Sequence, residues 1–104
     1  MVFNLARAGF NFNDGFGGGD VVTANVLFNT CRESSDHGPI NSWDRQPFLT
    51  TVRTGQPSTI MAFRHVFGNF LISNYGGSKQ IDNDDGSLFW KNYENVMVYG
   101  WAQK

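Results

Sequence analysis

The residues best suited to chemistry lie together between Cys31 and Arg45. Arg32, Glu33, Asp36, His37, Asp44 and Arg45 place three acids, two arginines and a histidine within 14 residues. Charged residues make up only 16% of the chain, against roughly 25% in an average soluble domain, so this density is local. Such a set can move a proton beside a carboxylate. His37 would act as base, Arg32 or Arg45 as partner of a substrate carboxylate, and Asp36 as ligand for a calcium ion that neutralises it. The same residues also fit a structural role, in which Arg32, Glu33 and Asp44 pin a long loop through ion pairs and His37 caps a turn. Both readings stay open.

A second set consists of Asp14, Asp82, Asp84 and Asp85. Clustered carboxylates can protonate a leaving oxygen and activate a water. Asp14 and Asp85 each precede a glycine, however, and Asp-Gly is also an ordinary turn pair, since Asp bonds its own backbone and Gly supplies a positive φ. Trp43, Trp90, Tyr93 and Trp101 have flat faces able to stack on a sugar ring. Trp43 stands in a polar stretch and is the candidate for an exposed binding face, whereas packing is favoured for Trp90 and Trp101. Phe16-Gly17-Gly18-Gly19 lacks GxGxxG spacing and a following helical pattern, so it reads as a loop rather than a phosphate cradle.

The elements that must position these residues are short. Apolar runs of three to five residues, bounded by Gly, Asn, Asp and Ser, are too brief for helices and read as strands. Ala, Glu and Lys, which favour helix, are scarce, while Gly and Asn are plentiful. The strands recur. Val2-Phe3-Asn4-Leu5-Ala6-Arg7 returns as Leu27-Phe28-Asn29-Thr30-Cys31-Arg32, an offset of 25 residues. Asn25, Asn69 and Asn95 each open a run of three apolar residues, and residues 46–58, with two prolines and a glycine, read as a loop inserted into the longer interval. An Asp-Gly turn appears in Asn13-Asp14-Gly15 and again in Asp84-Asp85-Gly86.

A strand set of this period cannot bury its apolar face alone and must stack on its neighbours. In a parallel stack, equivalent residues sit about 4.8 Å apart, so aligned asparagines can bond from coil to coil. Asn25, Asn69 and Asn95 are the expected ladder. Cys31 and Ala6 fall at equivalent places, where a small inward residue suits a tight coil. As the only cysteine, Cys31 excludes an internal disulfide, and no Cys/His spacing points to zinc. A packed, inert thiol is the expectation.

The strings NFNDGFGGG (11–19), CRESSDHGPINSWDRQPF (31–48) and IDNDDGS (81–87) resemble those of asparagine-rich, right-handed parallel β-helix proteins of the broad pectate-lyase-like group. That resemblance implies polysaccharide lyases, glycoside hydrolases, sugar epimerases or purely structural coils. It also favours an extracellular or cell-surface location. Asp36-His37-Gly38 and Asp84-Asp85-Gly86 are similar to the Gly-His-Gly and Asp-Asp motifs of polygalacturonases, but in reversed order and with Asp36 in place of the first Gly.

The expected fold is therefore all-β, a right-handed parallel β-helix of about four coils, one with an inserted loop. Residues 1–104 would form a single segment, incomplete at both ends. The expected function is binding of, or action on, polysaccharide along a polar side groove, with His37, Asp36, Arg32, Glu33, Asp44 and Arg45 as the reactive set. Trp43, Asp14, Asp84 and Asp85 would contact the substrate. The alternative is an assembly subunit without catalysis. A net charge of -1 gives no field to draw the chain onto nucleic acid, and the first ten residues hold no apolar run long enough for a signal peptide or membrane span. The partners expected at the open ends are further coils or other protein chains.

Overall fold

The computed structural model describes residues 1–13, 18–43, 55, 63–74 and 79–102. These contain strands and no helix. In chain order the strands are β1 (Val2–Phe3), β2 (Phe10–Asn13), β3 (Val21–Thr23), β4 (Val26–Thr30), β5 (Ile40–Trp43), β6 (Arg64–Phe67), β7 (Phe70–Asn74), β8 (Lys79–Asn83), β9 (Trp90–Tyr93), β10 (Val96–Val98) and β11 (Trp101–Ala102).

The strands form three sheets, ordered β1-β4-β7-β10, β2-β5-β8-β11 and β3-β6-β9, and every pairing is parallel. The chain visits the first, second and third sheet in rotation, and each such circuit forms one tier. Val2 pairs with Leu27 and Phe3 with Phe28, which is the 25-residue offset legible in the sequence. The expected insertion at 46–58 falls almost wholly outside the described residues.

Three corners join the third sheet to the first, and they share one construction. Ala24-Asn25, Gly68-Asn69 and Glu94-Asn95 each separate consecutive strands by two residues. The first residue of each pair is left-handed, with φ of 56° at Ala24, 63° at Gly68 and 53° at Glu94. The second supplies the ladder. Asn25 Nδ2 donates to Asn69 Oδ1 at 3.1 Å, and Asn69 Nδ2 donates to Asn95 Oδ1 at 2.9 Å. The backbone N–H groups of Asn25 and Asn69 donate to the same oxygens. The ladder thus satisfies the polar backbone that a tight corner would leave orphaned. Lesser ladders join Asn29 to Asn4 and Asn41 to Asn11, each at 2.8 Å.

The core follows from the register. Leu27 pairs with Leu71 and Leu71 with Met97, Ile40 with Ile81, and Val22 with Val66, so like side chains stack on like down the interior. Each fully buried aliphatic contributes about 1.5–3 kcal/mol. Cys31 is buried as expected, and burial pushes its thiol above the ordinary value. Ala6 departs from expectation, because it is exposed. Beyond Asn29 the two copies of the repeat cease to run in register: Cys31 N–H bonds to Arg7 O, while Arg32 and Glu33 N–H groups reach back to Leu5 O and Ala6 O. Trp90 packs against the core, edge-on to Phe12 at 5.2 Å, with the Arg64 guanidinium over its ring and Asp20 bonded to Arg64 at 2.8 Å.

Candidate functional site

The outer side of the second sheet carries a polar row. Asn11, Asn41 and Asp82 are register partners, as are Asn13 and Trp43 one step on. Asp84 follows directly after β8, and its N–H donates to Ser42 O at 2.8 Å, which brings it beside the end of β5. The turn after it closes with Ser87 N–H bonded to Asp84 O at 2.9 Å and Gly86 at φ 74°, a requirement that explains the Asp-Gly pair.

The loop between β4 and β5 brings Asp36 and His37 to this row. Its approach is set by Gly38, where a Cβ would lie 2.9 Å from Lys79 O and 3.1 Å from Gln80 O. Only a residue without a side chain lets the loop sit this close to β8. The result is an open cleft of about 340 Å³ lined by Arg7, Asp36, His37, Asn41, Trp43 and Asp84. Asp36 is exposed, His37 and Asp84 are half-buried, and Trp43 keeps 45% of its surface accessible. Within the row, Asp82 is buried and Lys79 Nζ lies 3.1 Å from its Oδ1.

Of the residues singled out in the sequence, Asp36, His37, Trp43 and Asp84 meet in this cleft. Arg32 and Glu33 are exposed on the neighbouring corner and do not line it, and Asp85 is exposed at the turn tip. Asp14, Asp44 and Arg45 lie outside the described residues. Arg7 is the charged lining residue that neither candidate set included. The signal for it was present, because the 25-residue repeat makes Arg7 the counterpart of Arg32.

Chemically, the cleft offers a guanidinium fork, two carboxylates, an imidazole and an indole face. Carboxylates accept paired hydroxyl donors, the fork donates to ring or carboxylate oxygens, and the indole covers an apolar sugar face. Among the described residues, no three His, Cys, Asp or Glu side chains are grouped to hold a metal ion. Nor is any described helix long and apolar enough to cross a membrane. No family model, curated protein or solved structure matches the chain.

Proposed function

We propose that this chain forms a right-handed parallel β-helix whose cleft binds polysaccharide. Rotation through three parallel sheets supports the coil reading, and the strong preference of parallel crossovers for one hand makes it right-handed. The observation that carries the function is the convergence of Asp36, His37 and Asp84 with Trp43 and Arg7 on one open cleft. A purely structural role would bury these carboxylates in ion pairs. Asp36 instead stands exposed and Asp84 half-buried, each facing the same space.

In this reading Trp43 is the stacking platform, Asp36 and Asp84 accept hydrogen bonds from neighbouring hydroxyls, and Arg7 donates to a ring or carboxylate oxygen. If the bound glycan is also cleaved, His37 is the group placed to carry the proton, with Asp36 or Asp84 as its carboxylate partner. The volume is at the low end of small-molecule sites, about 300–1,000 Å³, and suits a short stretch of a longer chain.

Titration calorimetry with neutral and uronate oligosaccharides tests the reading, with single-stranded DNA as control. Binding of an oligosaccharide, weakened about tenfold or more by Trp43→Ala while the β spectrum is retained, is the expected result. Failure of every oligosaccharide to bind the folded wild-type chain would overturn it. Reducing-end and unsaturated-product assays on the bound oligosaccharide then separate a binding module from an enzyme.

A further inference from the structure

The charges that line the cleft do not balance. Arg7 is the one permanent cation among its described lining residues, against the carboxylates of Asp36 and Asp84, so with His37 neutral the walls carry a net negative charge. Neither carboxylate is spent within the fold. Among the described residues no ion pair or side-chain hydrogen bond engages either of them, whereas Asp20 is held by Arg64 and Asp82 by Lys79. Beyond burial, its main cause, the rise of the buried Asp82 carboxyl is fed by both Asp84 and Asp36, so the two charges act on one region of the cleft. A neutral acceptor lies there as well. Asn41 is 1% exposed and lines the cleft, its Nδ2 is given to Asn11 Oδ1, and its Oδ1 has no partner among the described residues. Arg7 apart, the capacity left unspent is that of acceptors, and a matching ligand brings donors. Trp43 stands exposed beside them with an indole, the aromatic most attractive to a cation.

We propose that the cleft selects an amino sugar, a glycan whose ring carries a free, protonated amine, over neutral and uronate glycans. This rests on the polysaccharide reading above and names its substrate class. An ammonium on a sugar ring brings three donors and a positive charge, which Asp36 and Asp84 take as charge-assisted hydrogen bonds. The C–H face of the ring lies on Trp43, and Arg7 donates to hydroxyl or ring oxygens. A uronate would set its carboxylate against two acids, with a single guanidinium to offset them. A neutral ring fits the same space but offers the carboxylates hydroxyl donors alone, the weaker bond.

Titration calorimetry at a pH that keeps the sugar amine protonated compares three oligomers of equal length: β-linked glucosamine, β-linked glucose, which differs from it only by a hydroxyl in place of the amine, and galacturonate. The glucosamine oligomer should bind at least about tenfold more tightly than the glucose oligomer, and the galacturonate oligomer most weakly. Asp36→Asn with Asp84→Asn should bring the first two to within about twofold of each other in a chain that keeps its β spectrum. Should that variant fail to fold, salt gives a second measurement on the wild-type chain, since raising it from about 0.02 M to about 0.5 M should shrink the glucosamine preference several-fold. A glucosamine oligomer that binds no better than its glucose counterpart, a preference unmoved by the double substitution or by salt, or galacturonate that binds best, with or without added calcium, would each overturn the inference while leaving polysaccharide binding in place. No binding by any of the three would overturn the polysaccharide reading and this inference with it.

Discussion

Asn41 on β5 and Asp82 on β8 are register partners, both buried, and Asn41 Oδ1 and Asp82 Oδ2 each lack a hydrogen-bond partner among the described residues. Two acceptors cannot bond to each other, whereas a proton on Asp82 would supply a donor. It would continue the ladder in which Asn41 Nδ2 already donates to Asn11 Oδ1.

The pH dependence follows from that proton. Burial pushes the Asp82 carboxyl above its ordinary value of 3.8; the Lys79 hydrogen bond and charge oppose this, and Asp84 and Asp36 add to it. Because the native state holds the proton more tightly than the unfolded chain, the stabilisation is fully present below about 3.8 and is lost as pH rises through the higher native value. Melting temperature should therefore carry an Asp82 component that increases as the solution is acidified from neutrality. Asp82→Asn, which offers an amide donor at every pH, should remove that component. Identical melting-temperature profiles for the two proteins between neutral and mildly acid pH would contradict it. Absolute stability is the poorer readout, because the variant also weakens the Lys79–Asp82 ion pair.

The asparagine ladder should be unevenly sensitive. Asn69 is buried, donates to Val22 O, Phe67 O and Asn95 Oδ1, and accepts from Asn25. Asn69→Ala leaves several buried groups unpaired and should cost about 2–4 kcal/mol. Asn29→Ala, which breaks the exposed bond to Asn4, should cost less than about 1 kcal/mol. Urea denaturation of the two variants gives the comparison, and equal losses would show that the ladder does not bear on stability as described.

The corners make a prediction of opposite sign. Ala24 and Glu94 hold the left-handed conformation that Gly68 adopts without strain. Glycine at either site should stabilise by about 0.5–1 kcal/mol, the relieved strain of roughly 1–2 kcal/mol being partly offset by the entropy of a freer unfolded chain. Gly68→Ala should destabilise for conformational reasons alone, since its Cβ would stand 3.5 Å from Thr23 Oγ1, an ordinary contact. Denaturation midpoints of Ala24→Gly and Gly68→Ala should move in opposite directions.

Gly38 links stability to the cleft. An added Cβ would meet the backbone of β8 at 2.9 Å, and a strand inside a sheet has little room to yield. Gly38→Ala should cost about 1–3 kcal/mol and displace His37 and Asp36, so oligosaccharide affinity should fall more than it does for a cleft-remote change of equal cost such as Gly68→Ala. Calorimetry on both variants checks this, and equal affinities would uncouple the loop from binding.

The strands, their parallel stacking interval and the main ladder were legible in the sequence because an in-register stack sets like on like. Asn25, Asn69 and Asn95 recur for the same reason that Leu27, Leu71 and Met97 do: each tier repeats the chemistry of the tier beside it. Local conformation reinforced this, since the Asp85-Gly86 turn pair reports the backbone angle at its own position. The cleft was only half legible. Asp36, His37 and Trp43 are close in sequence, but Arg7 and Asp84 reach them from other tiers, and the register along the second sheet shifts by 30 residues from Phe10 to Ile40 and by 41 from Ile40 to Ile81. No fixed period carries one to the other. Burial at the corner after Asn29 was decided by tertiary structure. Ala6 and Cys31 occupy matching places in the repeat yet end exposed and buried, because the backbone bonds after Asn29 cross between tiers and turn one outward and the other in.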